Sequence, residues 1–349
     1  MDSLTQIVLG AAVGEVILGK KLGNRAVFWG AIAGTIPDFD VFLNFIVSDK
    51  LSATLMHRAF SHSFLFVITI APLLGYLFTK MFKKSKATFR DWSILFFWGF
   101  LTHILLDVQT TYGTQLLWPF HNRLAISNVF VVDPFYTLPF LIFVIVTMFY
   151  KRTNPKRARI NRIGLYVSSG YLILTLVFKM FTYQKFTKNL ESQQIDYNRI
   201  ETGPTPLNAI LWYANVETDN HYYVGYYSLL DKDDNIQFKK FDKNHQLRNQ
   251  LKEYNNFKRM NRFSKDWYFL SEANDIIYYN NIRFGTFGFK NEDRQFVFNQ
   301  QVKIIGDDIQ FVERDRNPKS LADNKDEKNE DSFFKLFFNS LIKRVLGNK

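Results

Sequence analysis

Apolar residues run in six long blocks through the first half of the chain, at about 4–19, 26–47, 63–79, 92–111, 134–150 and 163–182. Most have the roughly 17–25 residues that a helix needs to cross a bilayer. The first block is short and carries Glu15; the second is interrupted by Pro37-Asp38-Phe39-Asp40. These two read as tilted, half-buried or re-entrant, which is tolerated where protein or water surrounds the backbone. Beyond residue 182 the pattern changes. Stretches such as 209–216, 221–230, 267–271 and 276–279 are rich in Tyr, Val, Ile and Trp and are separated by Asp, Asn, Gly and Lys. They predict short strands with turns, including a hairpin turn at 231–235. Residues 245–259 carry Leu247, Leu251, Tyr254 and Phe257 near one side of a helix. Residues 314–332 are charged and Asn-rich and predict a flexible linker. Residues 333–347 form a basic amphipathic segment that either lies on a membrane surface or packs as a helix of the tail domain. The expected fold is an α-helical polytopic membrane domain of about six spans (1–182), then a small α+β or mostly-β soluble domain (183–313). A charged linker and an amphipathic C-terminal helix (314–349) complete it.

Charge adds orientation to this picture. Lys and Arg crowd the first, third and fifth connections: Lys20, Lys21 and Arg25; Lys80, Lys83, Lys84, Lys86 and Arg90; Lys151, Arg152, Lys156, Arg157, Arg159 and Arg162. The second has only Lys50 and Arg58, and the fourth only Arg123. The alternation places the basic loops in the cytoplasm. The N-terminus, loops two and four, and the whole tail domain are then expected outside. The net charge of +12 thereby has a topological explanation, and no nucleic-acid partner is expected. The opening MDSLTQIVLG lacks the basic start of a secretory signal and reads as a retained first span. There is no Cys, which excludes disulfides, thiolate nucleophiles and Cys-ligated metal.

Ionisable groups in or beside membrane spans are costly, and they are candidates for function. His103 and Asp107 are four apart, one turn along one helix face. They suit two ligands of one ion, or equally a structural hydrogen-bonded pair. Asp38 and Asp40 point to one side if the chain is extended there; the alternative is capping of a helix end. His57 and His62 flank Arg58, Ser61 and, on the far side, Ser63. Their spacing of five suits a loop or a bent helix entry, and incidental loop histidines are the bland alternative. The charge-derived topology puts all six on the outer membrane face, together with Asp2, Gln6, His121 and Asp133. The candidate metal ligands are therefore Asp38, Asp40, His57, His62, His103 and Asp107, with Asp2, Gln6 and Asp133 as additional positions. Asp40 is a candidate general base, and Arg58 a candidate stabiliser of developing negative charge. The cofactor expected is a divalent metal, zinc foremost, with manganese or magnesium as alternatives.

The opening Met1-Asp2-Ser3-Leu4-Thr5, the Pro37-Asp38-Phe39-Asp40 box, His57-Arg58 with Ser61-His62-Ser63, and His103 with Asp107 together resemble the YdjM-like family. The resemblance covers roughly residues 1–180. It implies a bacterial inner-membrane protein described as a metal-dependent hydrolase and distantly similar to zinc-dependent phospholipases C. Phosphoester hydrolysis on a lipid or membrane-proximal substrate follows as an expectation, with the bilayer as the immediate partner. Many family members carry His where this chain has Gln6, a poor zinc ligand. Two other readings stay open. One is a non-enzymatic membrane protein whose His/Asp cluster is structural or serves sensing or transport. The other is a membrane anchor for an active tail domain.

Overall fold

The computed structural model describes residues 1–45, 50–286, 296–313 and 330–348. Most of the expected linker, 314–329, lies outside the described residues. The chain divides into two compact units, Met1–Phe178 with Pro206–Ala209, and Lys179–Thr205 with Ile210–Lys349.

The first unit is helical. Helix α1 (Ser3–Leu22) begins at Asp2, whose carboxylate accepts from the Thr5 N–H and caps the first turn. It ends at Gly23, whose φ of +60° permits an immediate reversal into α2 (Asn24–Thr35). The two helices pack backbone to backbone. A methyl group at Gly14 would sit 2.2 Å from the Ala26 carbonyl, and one at Gly10 would sit 2.4 Å from that of Gly30. Gly34 lies equally close to the Gln6 carbonyl. Gly10/Gly14 and Gly30/Gly34 thus form matching small-residue stripes, the device that brings helices together in apolar surroundings.

Pro37 follows the end of α2, and Ile36–Phe45 continues as a 3-10 helix. A short α3 (Lys50–Met56) leads to a 3-10 turn at Phe60–His62. Ser63 then caps α4 (Phe64–Met81), its hydroxyl accepting from the Phe66 N–H. Helix α5 (Phe89–Val108) starts at a reciprocal Thr88/Asp91 capping box. Helix α6 (Pro134–Met148) starts at Asp133, and α7 (Pro155–Ser192) is one unbroken helix. Trp92, Phe96 and Phe100 of α5 form a core with Val67 and Ala71 of α4. Val8 and Ala12 of α1 form another with Tyr136, Phe140 and Val144 of α6. Arg157 of α7 donates two parallel bonds, 2.8 and 2.6 Å long, to Glu15 of α1, so this intruding charge is fully paired. Hydroxyls on the apolar helices turn back on their own chains. Thr69, Thr79, Thr102 and Thr147 each donate to the carbonyl four residues earlier.

Among the described residues, four helices are long and apolar enough to cross a membrane: α1, α4, α5 and α7. The expected count of six spans is not confirmed. The described part of the block at 26–47 falls in a 12-residue helix followed by the 3-10 segment, since the break at Pro37 ends regular α-geometry. The block at 134–150 yields a 15-residue helix, confined by its cap at Asp133 and carrying Pro139 inside it. Helix α1 also differs from a lipid-facing span: 67% of its apolar window is buried inside the protein, against 22% for α4.

The second unit holds two antiparallel four-stranded meanders. One runs β1 (Arg199–Pro204), β2 (Leu211–Glu217), β3 (His221–Ser228), β4 (Phe238–Asp242). The other runs β5 (Tyr268–Ala273), β6 (Ile276–Thr286), β7 (Phe296–Ile305), β8 (Asp308–Glu313). The helical stretch expected at 245–259 is two short helices, α8 (His245–Leu251) and α9 (Asn255–Ser264). Leu211, Tyr213, Val224, Trp267, Phe269 and Ile282 share one core. Leu341 of the last helix, α10 (Glu330–Val345), is buried in it. At its edge Glu217 accepts from Lys243 at 2.7 Å and pairs with Arg199. Burial alone would raise the Glu217 pKa, but the Lys243 hydrogen bond and the Arg199 charge outweigh it and hold it below its ordinary value.

Two predictions follow from this packing. Gly14→Leu should separate α1 from α2 and cost about 1–3 kcal/mol or more, the usual penalty of overpacking. Gly170→Ala, where a methyl group meets nothing within 4 Å, should be neutral or mildly stabilising; thermal unfolding in detergent checks both. For Glu217, a depressed folded pKa means stability present above the unfolded value of 4.5 and lost as pH falls through the folded value. Glu217→Gln should therefore remove part of the acid-side loss of stability of the β-sheet unit, read as a flatter midpoint-versus-pH curve below pH 4.5.

Candidate metal centre

Three pieces of chain converge at the ends of α2, α4 and α5. Asp38 comes from the 3-10 segment after α2, His62 from the turn before α4, and His103 and Asp107 from successive turns of α5. One ligand atom from each lies within 4.8 Å of all the others. His62 Nε2 is 3.1 Å from His103 Nε2, 3.3 Å from Asp38 Oδ1 and 3.2 Å from Asp107 Oδ2. His103 Nε2 is 3.5 Å from Asp38 Oδ1 and 3.6 Å from Asp107 Oδ2. Tetrahedral bonds of roughly 2.0–2.2 Å place neighbouring ligand atoms roughly 3.3–3.6 Å apart, so these edges have the right size for one ion.

The protonation pattern adds a sharper argument. His103 Nδ1 lies 2.6 Å from the Gly34 carbonyl, which only accepts, so this nitrogen carries the hydrogen. His62 Nδ1 lies 2.9 Å from the Ser61 hydroxyl, which itself donates to Asp40 at 2.7 Å, so this nitrogen also donates. In both neutral rings Nε2 is then a bare lone pair, and the two lone pairs face each other at 3.1 Å. Something cationic has to lie between them, a shared proton or a metal ion. The same surroundings act on His62 itself. Burial would lower its pKa, but the carboxylates of Asp107, Asp38 and Asp40 prevail and push it up to about 9. Asp107 Oδ2, buried and without a hydrogen bond, is aimed at the same point. Without an ion, a proton on His62 meets this demand; with that proton removed, two nitrogens and two carboxylate oxygens form a donor set that fits a divalent cation.

The remaining residues orient these four. Asp40 gathers donors: His57 Nδ1 at 2.8 Å, the Arg58 N–H at 2.9 Å and the Ser61 hydroxyl. It stands behind His62, 3.5 Å from Nδ1, outside the four-residue group. His57 is likewise outside it, its ring 6.0 Å from that of His62 and stacked edge-on against Tyr112. Arg58 adopts a left-handed φ of +58°, a strained geometry for a side chain of this size, held by its backbone bond to Asp40. That turn directs its guanidinium inward, 3.1 Å from Asp107 Oδ2 and 3.2 Å from the Thr110 hydroxyl. Gln6 donates to Asp107 Oδ1 at 3.0 Å, where the Met1 amino group also pairs. Gln6 thus touches a ligand carboxylate from α1.

Other candidate positions lie elsewhere. Asp2 caps α1. Asp133 caps α6, accepting from the Phe135 and Tyr136 N–H groups and from the Tyr171 hydroxyl. His121 is exposed in the loop after α5. Gly34 and Thr110 take part without a sequence signal that marks them as polar site residues; the Gly30/Gly34 spacing was the available clue to close packing at Gly34.

A helical domain with a buried His/Asp group at the ends of its apolar helices defines a membrane protein with a candidate metal site. A family model of this kind, the YdjM inner membrane protein, matches residues 1–186, slightly more than half of the chain. The chain belongs to that family. It is 30% identical over 145 residues to the inner membrane protein YbcI of Escherichia coli K12, covering 82% of that protein and 39% of this chain. It is 27% identical over 240 residues to the uncharacterized protein YfhP of Bacillus subtilis 168, covering 68% of that protein and 64% of this chain. No solved structure matches. These names carry no activity, and none of them extends the resemblance to phospholipases C.

The orienting contacts have a measurable consequence. Ser61→Ala and Gln6→Leu should each weaken metal binding about 10–100-fold while leaving all four ligands in place, the usual effect of removing an outer-shell partner. Competition against a fluorescent zinc chelator in detergent measures it.

Proposed function

We propose that the protein is a membrane-embedded metal-dependent hydrolase acting on a phosphoester carried by a lipid or a membrane-proximal molecule. The observation that carries this reading is the convergence of His62 Nε2, His103 Nε2 and oxygens of Asp38 and Asp107 at ligand spacing. Two nitrogens and two carboxylate oxygens favour zinc, with manganese or magnesium as alternatives. When bound, a divalent ion supplies Lewis-acid polarisation and a nucleophile at neutral pH.

The protein's own groups divide the remaining work. Asp38, with its side chain 21% exposed, is the ligand that meets the outside of the cluster. Asp40 fixes the His62 ring through Ser61 and holds the half-exposed His57 through Nδ1, leaving His57 Nε2 to take or give a proton. Arg58 balances Asp107, so its contribution is to hold that carboxylate in place. In this reading the site faces the extracytoplasmic side, as the loop charges suggest.

A second reading has its own support. His62, His103 and Asp107 are wholly buried, and a closed four-ligand set is typical of a structural site. The protein would then bind metal for stability, sensing or transport. Elemental analysis of the purified protein with an ester panel separates the two. The hydrolase reading expects bound zinc or manganese, loss of that metal in His62→Ala, His103→Ala and Asp107→Asn, and phosphoesterase turnover lost with it. His57→Ala should keep the metal and lower turnover about 100-fold, the scale of a proton-transfer group. Metal without turnover on phosphomonoester, phosphodiester and phospholipid substrates leaves the second reading. Absence of metal that zinc addition cannot restore removes both.

A further inference from the structure

Helix α10 is amphipathic on both sides, and its two faces have different neighbours. The inner face is locked to the β-sheet unit. Leu341 is 4% exposed in the shared core, with Phe337 and Val345 packed against it. Arg344 makes a two-pronged pair with Asp231, at 2.5 and 2.8 Å, and donates to the Tyr226 carbonyl at 3.0 Å. The Ser228 hydroxyl donates to the Val345 carbonyl. The helix is therefore held rigidly in one rotational setting.

That setting turns Phe338, Ile342 and Leu346 outward, 40%, 54% and 58% exposed. They recur every four residues and form one straight apolar stripe about 12 Å long at 1.5 Å per residue. Lys335 and Lys343 are exposed on the same outward side. Apolar residues with Lys beside them describe a helix that lies in a lipid headgroup layer: the rings and branches enter the acyl boundary and the ammonium groups meet anionic headgroups. The chain also supplies the tether. Helix α7 carries a candidate span and runs without a break into the second unit, so the bilayer is always within reach. A weak interfacial contact is sufficient under such a tether.

We infer that the outward face of α10 is a membrane-contact surface that rests on anionic lipid. This inference is independent of the metal site. The chain has no Cys, so a single introduced one labels uniquely. The test uses full-length protein in vesicles of phosphatidylglycerol and phosphatidylcholine, labelled with an environment-sensitive dye at Ile342→Cys. A reference label sits at Lys252→Cys, an exposed position on the turn after α8. The expected result is a blue shift at position 342 and quenching by brominated lipid at least about two-fold stronger than at 252. Lys335→Glu with Lys343→Glu should reduce that quenching, and pure phosphatidylcholine should do the same. Equal quenching at the two positions overturns the inference. A blue shift at 342 that ignores lipid bromination also overturns it and indicates a protein partner on this face.

Discussion

Helices α1 and α2 touch backbone to backbone, and the metal site hangs on that approach. Four glycines remove the side chains that would otherwise hold the axes apart. In apolar surroundings no hydrophobic force draws helices together, so close packing of small residues has to supply the attraction. The contact ends where the chemistry begins. Gly34, in the last turn of α2, lies against the Gln6 carbonyl on one side and accepts from His103 on the other. Gln6 in turn reaches Asp107. A shift of an ångström between α1 and α2 would loosen both orienting contacts at once, although neither helix contributes one of the four ligand atoms.

Charge is handled by the same economy of contacts. Burying an ion without a partner costs several kcal/mol, and the buried carboxylates of the helical unit described above have counterparts. Glu15 has Arg157, Asp107 has Arg58, and Asp40 has a ring of donors. Between His62 and His103 the two Nε2 atoms lie 3.1 Å apart beside two further carboxylates, and that field favours a proton on His62. A divalent ion among these four donors would meet the same demand for positive charge.

How much of this is legible in the sequence depends on the local geometry each residue needs. His103 and Asp107 follow from helical spacing alone, and they do share one face. Asp38 and Asp40 do not, because an extended chain was the natural reading of i and i+2. The segment is a 3-10 helix, in which residues two apart are about 240° apart, so Asp38 faces the ligands and Asp40 the back of His62. His57 and His62 are separated by the left-handed turn at Arg58, a conformation that no side chain of Arg advertises. Four candidate spans rather than six stand among the described residues for a similar reason. A hydropathy window sums residues 26–47 across a backbone break that only Pro37 signals. In the second unit β2, β3, β5 and the start of β6 are readable from Tyr-, Val- and Ile-rich runs, β1, β4, β7 and β8 are not among them, and one expected helix is two, parted around Glu253.

The threonines of the apolar helices bear on how such windows should be weighed. Each of Thr69, Thr79, Thr102 and Thr147 spends its hydroxyl hydrogen on a carbonyl one turn back in its own helix. Where such a residue is exposed, as at Thr69, what it presents outward is mainly its methyl group. A transfer scale measured on free side chains counts it as polar, yet in place it behaves much like valine. The summed hydropathy of these helices therefore overstates the polar cost of their threonines.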